Sequence, residues 1–259
     1  MLTSYFALIA ITATTALASP TSLDKRADIN HDAVVNFPET VPATTIGQLM
    51  LKYKPYLYVE DGCVPFPAVD EEGNTSGGLS PSGLPSGDCD SSVGQIYARS
   101  ATYDGKFAIL YSWYFPKDEP SLIESAFGIG HRHDWEGIVV WLSAESLDAE
   151  LLGVAASAHG DYSTSTEPSL SGNGPLVRYY TELSILDHSL GFTDTVGGQQ
   201  PLIAWESMPT VAQDALANED WGGEYSSKCK KIRDADPASD ANVPFIDSSF
   251  QDNLSEAQL

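Results

Sequence analysis

The chain has 259 residues, of which 36 are acidic and 13 are basic, so its formal net charge is −23. A surface this acidic repels nucleic acid and anionic bilayers, which excludes a nucleic-acid-binding protein and means that any membrane target must be recognised through a local site. The length is sufficient to bury a full core and predicts one large domain.

The N-terminal residues 1–18 form an apolar stretch that ends in Ala-Leu-Ala, a pattern typical of a secretory signal peptide. Lys25-Arg26 follows as a dibasic site. We therefore expect residues 19–26 to be a short pro-segment and residues 27–259 to be the mature domain, secreted to the extracellular space. The alternative is that the basic pair lies uncleaved in a flexible terminus.

Apolar spacing along the rest of the chain predicts many short strands and few helices. The predicted strands are residues 94–100, 106–115, 137–142, 151–158, 176–183 and 201–204, the predicted helices are residues 44–53 and 209–217, and a largely irregular tail covers residues 237–252. This order predicts a mainly β fold, an antiparallel β-sandwich with flanking helices. Loops at one edge of such a sandwich are a natural place for a binding site.

Three cysteines lie beyond the predicted leader, and in an oxidising compartment one disulfide is expected. Cys63 and Cys89 are the favoured pair because they enclose a segment rich in Gly, Pro and Ser that cannot hold itself together by packing. Cys229 is then left over, either buried, paired between chains, or a rival partner. Asn74 and Asn253 begin glycosylation sequons, with unmodified loops as the alternative.

Residues 130–136 (GHRHDWE) hold two imidazoles, a guanidinium, two carboxylates and an indole in seven positions. On a regular strand His131 and His133 would share one side and Asp134 and Glu136 the other. If the segment curls, His131, Asp134 and Glu136 converge on one ion. Carboxylate-rich sets favour Mg²⁺ or Ca²⁺, and Asp118 offers another carboxylate near the same edge. The alternative is a set of salt bridges to neighbouring cations, Arg132 and Lys117.

Several stretches resemble one family. GHRHDWE, preceded by AILYSWYFPKD, resembles the signature of the necrosis- and ethylene-inducing peptide-like proteins, secreted cytolysins of plant-associated microbes. DGCVPFPAVD, GNTSGGL, SAHGDY, GGQQPLIAWES and ANVPF agree, so the resemblance extends from about residue 35 to the C-terminus. It implies an actinoporin-like β-sandwich and a toxin, not an enzyme. The implied partners are the glycosylinositol phosphorylceramide headgroups of plant membranes and plant immune receptors, and the implied outcome is plasma-membrane damage by a protein that is monomeric in solution.

The resemblance also implies a site. A divalent cation, Mg²⁺ or Ca²⁺, lies at the base of an acidic cavity, a neighbouring pair contacts the terminal hexose, and a further histidine stands at the cavity edge. The implied residues are Asp118, His131, Asp134 and Glu136 for the cation; Asp187, His188 and His159 for the sugar headgroup; Arg132 and His133 for support; and Trp135 for packing.

Two features differ from the family pattern. The connection between Asp118 and His131 is about five residues longer than usual, and Ser184 stands where toxic members often carry an exposed Trp. These features favour a second hypothesis, a non-cytotoxic apoplastic effector or immune elicitor. A third is a metal-dependent hydrolase, in which His159 and His188 would complete the ligand set.

Overall fold

The computed structural model describes residues 27–121, 130–159, 161–182, 187–221 and 247–259, with only the backbone described at 247–249. The predicted signal peptide and pro-segment, the lengthened connection at 122–129, Ser184 and Cys229 all lie outside the described residues. None of the described helices is long and apolar enough to cross a membrane.

Twelve described strands form two main sheets and one small one. The strands are β1 Asp28–Ile29, β2 Tyr56–Val59, β3 Thr75–Ser76, β4 Ile96–Tyr103, β5 Lys106–Asp118, β6 His131–Leu142, β7 Leu151–Ala158, β8 Asp161–Ser165, β9 Leu170–Ser171, β10 Gly174–Glu182, β11 Asp187–Phe192 and β12 Leu202–Ala204. The first sheet has the order β12-β4-β5-β6-β7-β8, and the second has the order β11-β10-β2 with β9 beside β10. The described helices are α1 Thr45–Lys52, α2 Thr210–Asn218 and α3 Asp247–Glu256, with a 3₁₀ turn at Trp205–Ser207.

The mainly β sandwich predicted from the sequence is confirmed. The long ladders β4-β5-β6-β7-β8 and β10-β11 are antiparallel, whereas β10-β2, β12-β4 and β1-β3 are parallel pairings that were not predicted. The sheets are joined by aromatic packing. Phe115 of the first sheet stacks on Tyr179 of the second, with ring centroids 3.8 Å apart and planes 6° apart. This stack extends the core to the edge of the sandwich where β5 ends and β6 begins.

The central strands are longer than predicted. The strand expected at 106–115 continues to Asp118, and the strand expected to begin at residue 137 begins at His131. The charged motif therefore lies within a strand. The prediction of a largely irregular tail over residues 237–252 is wrong for residues 247–252, because α3 begins at Asp247; residues 237–246 lie outside the described residues. Phe250 and Leu254 of α3 and Ala257 just after it are buried at helical spacing and pack against the first sheet, where Trp141 Nε1 donates to the Ala257 carbonyl at 2.8 Å.

Candidate functional site

The charged motif lies at one end of the hairpin formed by β5 and β6. Asp118 and His131 are directly opposite in the ladder, at the end of one strand and the start of the other. The second sheet brings Asp187 and His188 to the same place, because β11 begins at Asp187. Residues from both sheets therefore share one polar site at the edge of the sandwich.

A left-handed backbone at His133 determines which side chains meet. Its φ is +61°, opposite Pro116, where the ladder is interrupted because proline has no N–H to donate. His131 turns so that Nδ1–H donates to the His133 carbonyl at 2.8 Å and Nε2 faces Asp118. The side chain of His133 instead contacts Tyr114 and Trp221. The regular alternation that places both histidines on one side is wrong. The expected convergence of His131, Asp134 and Glu136 on one ion is not what the described residues show either, because the ligand-type atoms that come together with His131 belong to Asp118 and Asp187.

Three ligand-type side chains come close enough to share an ion. One ligand atom each from Asp118, His131 and Asp187 lies within 4.8 Å of the others. The resemblance assigned Asp187 to the sugar, but the geometry places it beside the two expected cation ligands. Two carboxylates and an imidazole are a donor set that suits a hard divalent cation.

Asp134 and Glu136 lie beside this triad, each with one oxygen held by a hydroxyl. Tyr179 Oη donates to Asp134 Oδ2 at 2.8 Å, and Ser157 Oγ donates to Glu136 Oε2. Both carboxyl groups are buried. Burial, together with nearby carboxylates, raises the pKa of Asp134 and raises that of Glu136 well above its usual range.

The other groups are also shifted. Burial and Asp118 raise the pKa of Asp187 to about 7. Burial alone would raise the pKa of Asp118, but the charge and hydrogen bonds of His188 outweigh it and lower the pKa to about 2. Burial opposes the charged form of His131, yet Asp187 and Asp118 raise its pKa well above the usual value. Four carboxyl groups and two imidazoles thus share one site, and a divalent cation held there would favour the ionised form of the carboxyl groups.

His188 is held between two carboxylates. Its Nδ1–H donates to Asp118, and its Nε2 lies 3.1 Å from Asp61 Oδ1. Its ring stacks on Tyr179 with centroids 4.6 Å apart and planes 10° apart. Burial lowers the pKa of His188, but Asp118 and Asp61 outweigh it and raise the pKa to about 10. Sequence reasoning missed Asp61, which is separated from His188 by more than a hundred residues and belongs to no recognisable ligand pattern.

His159 lies at the rim of the site rather than in the triad. Its Nε2 is 3.3 Å from Glu182 Oε2, and Glu182 is the cross-strand partner of Asp187. His159, which the resemblance places at the cavity edge, is therefore linked through Glu182 to Asp187 of the assigned sugar pair. Glu182 was not identified from the sequence, since a lone carboxylate near a strand end carries no specific signal.

Arg132 of the motif and Lys117 of β5 contact the neighbouring loop, which comprises residues 64–88 between Cys63 and Cys89. Arg132 donates to the Gly77 carbonyl at 2.7 Å and to Ser80 Oγ at 2.8 Å, while Lys117 donates to the Ser82 and Leu84 carbonyls. These contacts show that both cations donate to the backbone of the loop. Trp135 packs against aromatic side chains, as the resemblance implies: Tyr97, Tyr114 and Trp221.

The loop itself is closed by the predicted disulfide between Cys63 and Cys89, with Cα atoms 5.0 Å apart. The two sequon asparagines are described, and their glycosylation stays a prediction. Asn74 Nδ2 donates to Asp70 Oδ2 at 2.9 Å, and Asn253 Oδ1 accepts from Tyr162 Oη at 2.6 Å.

Known proteins share this sequence and fold. Residues 47–257 match the family model described as necrosis inducing protein (NPP1). NLP effector protein 1 of Phytophthora capsici is 43% identical over 235 residues, which cover 88% of this chain and 90% of that protein. A structure of NLPPya in complex with mannosamine is 44% identical with a TM-score of 0.76, and covers 90% of this chain and all of that one. The non-toxic HaNLP3 protein is 36% identical with a TM-score of 0.76, over 88% and 98% of the two chains.

Proposed function

The chain belongs to the necrosis inducing protein family, and from that premise we propose that it is a secreted phytotoxic cytolysin that acts in the host apoplast. It binds glycosylinositol phosphorylceramide headgroups in the outer leaflet of the plant plasma membrane and damages that membrane, which triggers necrosis and immune responses. The observation that carries the proposal is the convergence of Asp118, His131 and Asp187 from both sheets. The complex of the related NLPPya with mannosamine supports a sugar as a ligand of this chain.

The residues fit a hard divalent cation, Mg²⁺ or Ca²⁺. Asp118 and His131 are held in place by their strands, and Asp187 completes the triad. Asp134 and Glu136 interact electrostatically with the triad and add negative potential, and we propose them as further ligands. Such a cation, when bound, offers exchangeable water positions that a sugar hydroxyl occupies. His131 already donates its Nδ1–H to a carbonyl, which leaves Nε2 as the ligand atom.

The sugar side of the site is formed by Asp187, His188 and His159. Asp187 is partly exposed, so one carboxylate faces both the triad and the solvent. His159 and Glu182 border the same end of the β10-β11 hairpin. Recognition of one hexose by a few polar groups is weak, and affinity for a membrane increases when many headgroups are presented together. A binding role of this kind requires no catalytic turnover, and the protein is proposed not to be an enzyme.

The first test is dye release from plant plasma-membrane vesicles by purified residues 27–259. We expect release in the presence of Mg²⁺ or Ca²⁺, loss of release with a chelator, and recovery when the cation is restored. Vesicles that lack the glycolipid but have the same charge are the control. Equal release from both vesicle types, or release that ignores the chelator, would contradict the proposal.

A non-cytotoxic effector or elicitor is the second candidate. Non-toxic HaNLP3 has the same fold with a TM-score of 0.76, so this architecture occurs without toxicity. Binding to glycolipid vesicles without dye release would favour this candidate. Leaf infiltration with heat-denatured protein then separates the two activities, because immune recognition of a linear segment survives unfolding and lysis does not.

A further inference from the structure

Asp61 holds the far side of His188. It follows β2, and its Oδ1 lies 3.1 Å from His188 Nε2. The same oxygen accepts hydrogen bonds from the Thr181 backbone N–H at 2.8 Å and from Thr181 Oγ1 at 3.1 Å. Thr181 is the cross-strand partner of His188. One carboxylate oxygen therefore ties the loop after β2 to both strands of the hairpin that carries His188.

Two further contacts fix the orientation of the His188 ring. Tyr179 stacks on one face of the ring. Gly62 lies against the Nε2 edge, where a Cβ would come within 2.5 Å of that nitrogen, and its φ is +79°. A glycine is therefore required for the loop to approach the ring so closely. The position of Asp61 is set by its hydrogen bonds and by this close approach.

His188 in turn holds Asp118 by both oxygens. The ring Nδ1–H donates to Oδ1, and the His188 backbone N–H donates to Oδ2 at 3.0 Å. Both ring nitrogens are therefore engaged, Nδ1 with Asp118 and Nε2 with Asp61 and with Thr181 Oγ1, which lies 3.2 Å away. Removing the Asp61 carboxylate leaves Thr181 Oγ1 as the remaining polar contact of Nε2 among the described residues, which weakens the hold on that side of the ring.

We propose that Asp61 is a positioning residue of the cation site: it orients His188, and through His188 it fixes the Asp118 carboxylate toward His131 and Asp187. The role rests on the proposed function, since the site it supports is the proposed cation site. Asp61 lies outside the triad and acts through the hydrogen bonds of a neighbouring ring. Partners of this kind that orient a ligand typically change metal affinity by about 10- to 100-fold when they are removed.

The test compares Asp61→Ala and Asp61→Asn with a matched control, Glu60→Ala. Glu60 is the adjacent acidic residue, has similar exposure, and pairs with Arg178 instead of with His188. All three variants change the net charge equally. Calorimetric titration with MgCl₂ or CaCl₂ is expected to show affinity reduced about 10-fold or more for Asp61→Ala, a smaller loss for Asp61→Asn, which keeps an acceptor oxygen, and wild-type affinity for Glu60→Ala.

A second readout does not depend on the cation. In the ion-free protein, the ¹H–¹⁵N NMR signals of the His188 ring should be the same in the wild type and in Glu60→Ala. These signals should shift in Asp61→Ala, while circular dichroism stays unchanged. Wild-type ring signals in Asp61→Ala would overturn the proposal, as would cation affinities equal to those of Glu60→Ala. If the wild type binds no divalent cation, the proposed function fails, and the ring signals still decide whether Asp61 positions His188.

Discussion

At the scale of single residues, His133 has the most influence on the site. Its left-handed backbone separates two neighbouring histidines, one directed to Asp118 and the other buried against Tyr114 and Trp221. Positive φ is uncommon for a residue with a side chain and depends on surroundings that compensate for it. The motif can be recognised from the sequence. The face on which each histidine lies cannot be predicted, because it depends on the positive φ of His133.

Asp134→Ala is expected to abolish lysis while the protein stays folded. The change removes a buried carboxylate whose pKa is raised by burial, so part of the lost Tyr179 hydrogen bond is offset by relief of crowded negative charge. Dye release and circular dichroism measured on the same sample test this expectation. Asp148→Ala, which alters an exposed carboxylate far from the motif, serves as the control. Full lysis by the Asp134→Ala variant would show that Asp134 is not part of the site on which lysis depends.

Cation affinity is expected to decrease as the pH is lowered below about 7. The pKa of Asp187 is raised to about 7 by burial and by Asp118, so at pH 5 this carboxyl is protonated in the ion-free protein. A cation must displace that proton and also the proton on Nε2 of His131, whose pKa, despite burial, is raised well above its usual value by Asp187 and Asp118. Affinity therefore rises as pH increases from 5 to 7, by up to about tenfold per pH unit for each proton released. Calorimetric titrations at pH 5, 6 and 7 measure the slope. Asp187→Asn is expected to reduce the slope by about one proton, and an unchanged slope in that variant would mean that Asp187 loses no proton on binding.

Tyr114→Phe is expected to destabilise the protein by about 1–3 kcal/mol. The buried Tyr114 hydroxyl lies 3.0 Å from Ser76 Oγ and 2.7 Å from His133 Nδ1, so its removal leaves two buried polar groups without that partner. Urea unfolding gives the difference. Tyr103→Phe removes a hydroxyl from the same sheet at a half-buried position, and should change the free energy of unfolding much less.

At the scale of elements, the long central strands could be predicted and their ends could not. The aromatic run of β5 and the apolar run after Gly137 have clear strand composition, whereas His131–Glu136 is too polar to be assigned to a strand without its partner. β11 was not predicted, because DHSLGF has no regular alternation, and its register depends on pairing with β10. The residues that hold the site in place, such as Asp61 and Ser157, come from distant segments and carry no local signal.

The disulfide-closed loop is tied to the site strands as well as to itself. Arg132 and Lys117 donate to its backbone from the ends of β6 and β5. Replacing Cys63 and Cys89 together by Ser is expected to lower the free energy of unfolding by roughly 3 kcal/mol. Without the crosslink, the unfolded chain regains the conformational entropy that closing a loop of this length removes. Urea unfolding under oxidising conditions measures it, and the wild type in the presence of reductant should match the double variant. Equal stability of variant and wild type would show that the side-chain contacts alone hold the loop.

At the scale of the whole molecule, the charge of −23 predicts strict dependence on a specific headgroup. Vesicles of phosphatidylserine and vesicles of glycosylinositol phosphorylceramide, prepared with equal surface charge, differ only in the recognition element. We expect co-sedimentation with the glycolipid vesicles alone, because general electrostatics repels the protein from both. Equal binding to both vesicle types at physiological salt would show that the cation merely bridges anionic surfaces.

The origin of the triad in two different sheets has a consequence for resistance to proteolysis. Asp118 and His131 belong to the first sheet and Asp187 to the second, so the sheets cannot separate while an ion joins them. A ligand present at a hundred times its dissociation constant adds about 2.7 kcal/mol to the folded state. If the triad holds a cation as proposed, we expect a chelator to shorten the time for which the purified protein resists a protease, as well as to stop the proposed lysis.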